Sequence, residues 1–263
     1  MSRNSNRYHI RAVDRALDLL ATFSTSEPEF TLSELASRLG LSPSTTYRLL
    51  VTLESRGYVE RKHQTGGYSL GVACLDLGIV FLSQLDLRGR VLPVMEALRE
   101  EYKETVHLGI LDVNRMEVIY LEKLEGLLPV VMTGSRVGAR VPAHCTALGK
   151  CMLACLPEGV VRDFFTREGL RSFTPNTITD LNELLRELTE TRQRGFAIDH
   201  VEHEVGVKCV AAPVWNHEKL VVGAISVSGP DNRMSEERCL ELGPLVRDAL
   251  LEVSRTMGYS PQR

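Results

Sequence analysis

The chain has 263 residues, 25% of them charged and 43% apolar, which is an ordinary globular composition for about one and a half to two domains. The longest apolar runs, 210–215 and 220–225, fall far short of the ~20 residues needed to span a bilayer. The polar first seven residues lack a signal core, so neither membrane insertion nor secretion is expected, and the cytoplasm is. A net charge of −3 hides a weak asymmetry. Residues 1–70 hold 9 Lys and Arg against 7 Asp and Glu, and residues 71–263 hold 22 against 27, a balance that neither requires nor forbids a nucleic-acid partner. Six irregularly spaced cysteines fit reduced thiols rather than a disulfide framework.

Apolar residues at Ala12, Val13, Ala16, Leu17, Leu19, Leu20 and Phe23 recur every three or four positions and predict an amphipathic helix, broken by the turn-rich segment 24–28. Thr31 with Glu34 forms a capping box for a second helix carrying Leu32, Leu35, Ala36 and Leu39, and Gly40 stands where a left-handed cap is wanted. Ser42 and Pro43 then supply an N-cap and a first-turn proline for a third helix. This helix runs to Arg56, ends at Gly57 and buries Thr46, Leu49, Leu50 and Leu53. Two helices joined so tightly behind a supporting helix make a helix-turn-helix. The β-prone runs 58–62 and 68–70, around Gly66 and Gly67, add a hairpin in the position of a wing.

Residues 72–84 and 87–103 predict two further helices, broken near Asp86. The first is apolar on nearly all sides, which leaves open a dimerisation element or burial within its own chain. From Thr105 the texture changes. Runs 106–111 and 117–122 read as strands around the turn 112–115, with a third strand at 128–133. Helices follow at 147–155, 158–168 and 180–194, and then strands at 195–202, 209–215 and 220–228. A closing helix at 235–257 starts at Ser235. Hairpin strands with helices beside them predict an α+β domain around an antiparallel sheet.

The third helix is the candidate reader of double-stranded DNA. Ser42, Ser44 and Thr45 at its N-terminus suit phosphate oxygens, and Tyr47 and Arg48 can reach base edges in the major groove. Arg61, Lys62 and His63 on the wing would meet flanking backbone or the minor groove.

With these motifs in place, the sequence resembles the IclR family of bacterial transcriptional regulators over nearly its whole length. The resemblance is carried by residues 12–20, 32–50 and 53–59. In the second half it is carried by residues 134–138, 142–150, 194–196, 206–214 and 225–230, in family order and spacing. It implies a winged helix-turn-helix domain (9–71), linker and dimerisation helices (72–103) and a GAF-like effector-binding domain (104–259). The protein would act as a homodimer or tetramer on palindromic operators. It further implies that a small organic acid is held by the backbone amides of Ala147 and Leu148 and by Asp199, Cys209, Ala211, Ser226 and Ser228. Amides at a helix start favour a carboxylate, and Ser226 and Ser228 alternate along a strand onto one face. Asp199 facing an acid would need a proton or a cationic partner.

Two alternatives remain at this point. His144, Cys145, His200, His203 and Cys209, with Glu204 beside Asp199, could converge on zinc, although no tight ligand spacing is present. Cys145 with His144 could act as nucleophile and base, but sequence neighbours seldom face each other, and neither a Gly-x-Ser-x-Gly elbow nor a phosphate-binding glycine loop occurs. The chain therefore reads as a regulator rather than an enzyme, with no cofactor required. Cys151 and Cys155, four apart on one helix face, are expected to be small core residues.

Overall fold

The computed structural model describes residues 9–24, 26–84, 87–128 and 135–260. The chain divides into two compact units, Met1–Leu85 and Asp86–Arg263. In the first, α1 (Arg11–Thr22), α2 (Leu32–Leu39) and α3 (Pro43–Ser55) enclose a core of Leu19, Phe23, Phe30, Leu35, Leu50 and Leu53. The antiparallel hairpin of β1 (Val59–Arg61) and β2 (Tyr68–Leu70) adds Val59 and Tyr68 to that core.

The helix boundaries have local causes. Thr31 accepts from the Glu34 amide while Glu34 Oε2 accepts from the Thr31 amide at 2.7 Å, closing the capping box on α2. Gly40 takes φ +61°, a left-handed conformation that costs a glycine nothing. Ser42 Oγ accepts from the Thr45 amide at 3.3 Å, so α3 restarts at once on Pro43. Thr46, Leu50 and Leu53 are buried and Leu49 is partly so, as the periodicity predicts. One feature lacks a sequence signature: Phe30 pairs with Tyr68 as a single bridge, tying the segment before α2 to the hairpin.

The first unit ends in α4 (Val72–Gln84), whose Cys74 thiol donates to the Tyr58 carbonyl at 3.4 Å. Val72, Leu75, Leu77 and Ile79 on this helix are 53–70% exposed, so the rest of the first unit does not bury them. The expected joint of two helices is divided, since α4 falls in the first unit and α5 (Leu87–Tyr102) opens the second.

The second unit is built on a six-stranded antiparallel sheet of order β5-β4-β3-β8-β7-β6. Its strands are β3 (Thr105–Asp112), β4 (Glu117–Leu124), β5 (Arg140–Pro142), β6 (Ala197–Asp199), β7 (Val207–Trp215) and β8 (Val221–Pro230). Its helices are α5, α6 (Ala147–Leu153), α7 (Glu158–Glu168), α8 (Leu181–Arg194) and α9 (Glu236–Thr256). A Cβ at Gly223 would meet Leu87 of α5, and one at Gly109, opposite Ala224, would meet Leu148 of α6. Because neighbouring strand residues point oppositely, α5 and α6 lie on different faces of the sheet. The α6 face carries a core that runs from Val118 and Ala211 through Leu148 and Leu153 to Leu184 and Leu188.

One expectation needs adjustment, one strand is added and one expectation lies mostly outside the described residues. The strand predicted over 195–202 shortens to Ala197–Asp199, because Val201 takes φ +64° and residues 200–206 form a turn-rich loop. The short strand β5 is new; three residues are too few to show periodicity. The strand predicted over 128–133 lies, beyond Leu128, outside the described residues. No helix among the described residues is long and apolar enough to cross a membrane.

Candidate functional site

The reading face of α3 is presented as its sequence predicts. Tyr47 is 50% exposed and Arg48 is also exposed, and Arg48 makes no side-chain hydrogen bond or ion pair among the described residues. Ser42, Ser44 and Thr45 form a small hydroxyl cluster, with Ser42 Oγ 3.1 Å from Ser44 Oγ and 2.9 Å from Thr45 Oγ1. Ser42 is thus already engaged as the helix cap. On the wing, Lys62 pairs with Glu60 at 3.2 Å, the Arg61 guanidinium lies 5.9 Å from the Tyr68 ring centroid, and His63 is exposed.

In the second unit, strand pairing assembles a site from residues far apart in sequence. His107 stands opposite Ser226, Ser226 opposite Ala211, and Ala211 opposite Ala197. In the adjacent row Thr105 stands opposite Ser228, Ser228 opposite Cys209, and Cys209 opposite Asp199. Directly opposed residues share a face, so both rows project toward α6. There they enclose a cavity of about 40 Å³ lined by Ala147, Leu148, Asp199, Cys209, Ser226 and Ser228. Ala211 lies in the same row but is covered by core packing and does not reach the cavity.

The seat of α6 is close. A Cβ at Gly149 would collide with the backbone of Ala143, and Thr146 accepts from the Gly149 amide at 3.2 Å. The first intrahelical bond runs from the Lys150 amide to the Thr146 carbonyl, so the Ala147 and Leu148 amides precede it.

Burial sets the electrostatics of the site. Burial, reinforced by the Glu202 carboxylate, raises Asp199 to about 7, although Asp199 Oδ1 accepts from the Glu202 amide at 2.7 Å. Asp199 can therefore hold a proton near neutrality. Behind it Lys150 is fully buried, its Nζ 2.5 Å from Glu202 and 3.4 Å from Glu187, which in turn accepts from Arg194 at 2.7 Å. Burial also pushes the Cys209 thiol up, and next the negative charge at Asp199 does the same, so it stays a neutral donor.

Sequence reasoning missed His107, Tyr120, Ser135 and Thr146 on the cavity wall. His107 and Tyr120 sit on β3 and β4, strands that were predicted, but their approach to Ser226 depends on long-range register. His203 and Glu204 also line the cavity.

The other histidines do not converge. His144 Nε2 lies 2.9 Å from the Arg171 carbonyl, with its ring between Phe165 and Phe173, and His200 Nδ1 lies 3.0 Å from Glu236. Among the described residues no group of three or more His, Cys, Asp or Glu side chains is arranged to hold a metal ion. Cys145 meets His203 Nδ1 at 3.9 Å rather than His144, and burial, then Asp199 and Glu202, hold its thiol well above the usual range. Cys151 is buried in the core as expected, while Cys155 is only partly buried; both border a separate crevice of about 310 Å³ beside Arg192 and Trp215.

Comparison with known proteins agrees with this architecture. Residues 12–63 match the IclR helix-turn-helix domain, and residues 79–255 match the domain described as bacterial transcriptional regulator IclR C-terminal. The chain is 36% identical to the HTH-type transcriptional regulator XynR of Escherichia coli K12, over 95% of this chain and 98% of that one. It is 33% identical to the transcriptional repressor IclR of the same organism, over 97% and 92%. Among solved structures, an IclR transcriptional regulator from Silicibacter sp. TM1040 superposes with a TM-score of 0.83 at 27% identity, covering 95% of this chain and 98% of that chain. An IclR homologue from Microbacterium hydrocarbonoxydans, complexed with 4-hydroxybenzoate, superposes with a TM-score of 0.81 at 26% identity, covering 95% and 100%. A helix-turn-helix with an exposed reading face, an α+β unit with a polar cavity and matched relatives across the whole length place this chain in the IclR family of transcriptional regulators.

Proposed function

We propose that the chain represses transcription by binding a pseudo-palindromic operator through α3 and the β1–β2 wing, and that a small organic acid in the cavity beside Asp199 modulates this binding. The observation that carries the reading is the gathering of Asp199, Cys209, Ser226 and Ser228 on one face of the sheet beneath the α6 amides. A carboxylate there would take hydrogen bonds from the serine hydroxyls and the Ala147 and Leu148 amides, while protonated Asp199 avoids repelling it. The Microbacterium homologue with its bound 4-hydroxybenzoate and the relatives named as repressors support the same reading.

The exposed apolar face of α4 is best occupied by α4 of a second copy. A dimer also supplies the two-fold symmetry that a palindrome requires, with half-sites about one helical turn or a multiple apart. The reading needs no metal or cofactor and places the protein with its DNA in the cytoplasm. Catalysis is disfavoured, because the Cys145 thiol beside His203 is held protonated.

The test is to select an operator from random duplexes and then titrate small carboxylic acids into the complex. The reading expects at least one acid to shift operator affinity. A selected operator whose affinity no acid changes would remove the effector half of the proposal.

A further inference from the structure

His107 is one of the polar side chains on the cavity wall, with Tyr120, Ser135, Thr146, His203 and Glu204, that neither the resemblance nor the proposed carboxylate contacts account for. It is 2% exposed, and its Nε2 is buried without a hydrogen-bond partner among the described residues. The rest of the ring is fixed. Nδ1 lies 3.4 Å from Ser228 Oγ, which lies 3.2 Å from Ser226 Oγ, and the Tyr120 ring packs at 4.9 Å between centroids. The register that sets His107 opposite Ser226 turns the imidazole toward the same cavity as the two serines.

Burial, and then the positive charge of Lys123, lowers His107 to about 3, so the ring is neutral at any ordinary pH. A neutral imidazole carries one N–H and one lone pair. It cannot attract a carboxylate by charge, but it can recognise a neutral polar group. With Nδ1 given to Ser228, Nε2 is left as either a donor or an acceptor, and a hydroxyl satisfies it in both cases because it can donate or accept. A buried polar atom left unmet is costly, which makes such a site discriminate strongly against ligands lacking the matching group.

Resting on the reading of this cavity as an acid-binding pocket, we propose that His107 Nε2 reads a hydroxyl carried by the effector in addition to its carboxylate, so that the pocket selects hydroxy acids over their unsubstituted counterparts. Ser226 and Ser228 belong to the same hydrogen-bonded chain and couple the two ends of the ligand.

The experiment is calorimetric binding of three matched pairs to the full chain: glycolate against acetate, lactate against propionate, and 4-hydroxybenzoate against benzoate. Wild type is expected to bind the hydroxylated member of at least one pair about tenfold or more tightly. In His107→Leu that ratio should collapse toward one, whatever happens to absolute affinity. His107→Gln, which can still donate from its side-chain amide, should retain part of it and serves alone if the leucine variant does not fold. Three results overturn the proposal. Acids that bind wild type without preference for the hydroxyl would remove it, as would a preference that survives undiminished in His107→Leu or, where that variant does not fold, in His107→Gln; in either case the acid-binding pocket stands. If no acid of any pair binds wild type, the reading of the pocket falls and the role of His107 falls with it.

Discussion

At the residue scale, the account turns on which side chains are held in readiness and which are already committed. Arg48 is exposed and unpaired among the described residues, whereas Ser42, three residues before Thr45, is used by the helix it caps. Arg48→Ala should therefore cost about 1–3 kcal/mol of operator affinity and relax preference at one base pair if Arg48 reads a guanine. Gel shifts on the selected operator and on single-base variants measure this; uniform weakening across sequences would make Arg48 a phosphate contact. Asp199 makes a prediction of opposite character. Burial raises it first, the charge of Glu202 adds to this and that of Lys150 opposes it, and with Cys209, His203 and Glu204 nearby it settles at about 7. Below that value it is neutral and tolerates an acid anion; above it the two charges repel. Effector affinity should thus fall as pH rises through about 7, by up to tenfold per unit, and Asp199→Asn should flatten the profile. A profile in which wild type and variant decline together would exclude Asp199 as the titrating group.

At the element scale, two helices carry obligations that their own residues do not discharge. The exposed side chains of α4 include Val72, Leu75 and Ile79 on one side and Leu77 on the other, an apolar surface unusual for an isolated helix. Leu75→Glu should shift the protein toward monomer in sedimentation experiments and weaken operator binding with it; an unchanged mass would assign this face to something other than self-association. Helix α6 depends on the buried pair Lys150–Glu202, since Lys150 is 0% and Glu202 1% exposed. Lys150→Met strands a buried carboxylate and should destabilise the second unit by about 3–5 kcal/mol, whereas Lys150→Met with Glu202→Met should recover much of the loss. Denaturant titration separates the cases: equal loss in single and double variants would mean that volume rather than charge is decisive.

At the scale of the whole molecule, much was legible because it is local. The capping box at Thr31 and Glu34, the left-handed Gly40, and the Ser42-Pro43 start each specify a boundary from neighbouring residues, and the structure has all three. Ser226 and Ser228 were recognisable as face-sharing because alternation is likewise local. What escaped is what register decides. His107 and Tyr120 enter the cavity because β3 pairs with both β8 and β4, and no pattern within β3 announces that. Ala211 lies in the correct row, and core packing rather than register keeps it off the cavity wall. His144 and His200, near the cavity in sequence, are drawn away by the Arg171 carbonyl and Glu236.

The central claim is that reading and sensing reside in separate units, the first through Arg48 and its neighbours and the second through the serine rows under α6. The double variant Ser226→Ala with Ser228→Ala tests it most directly, by operator gel shift with and without an acid that shifts wild type. The account predicts operator affinity within about a factor of two of wild type and no response to the acid. A normal response in the double variant would contradict it.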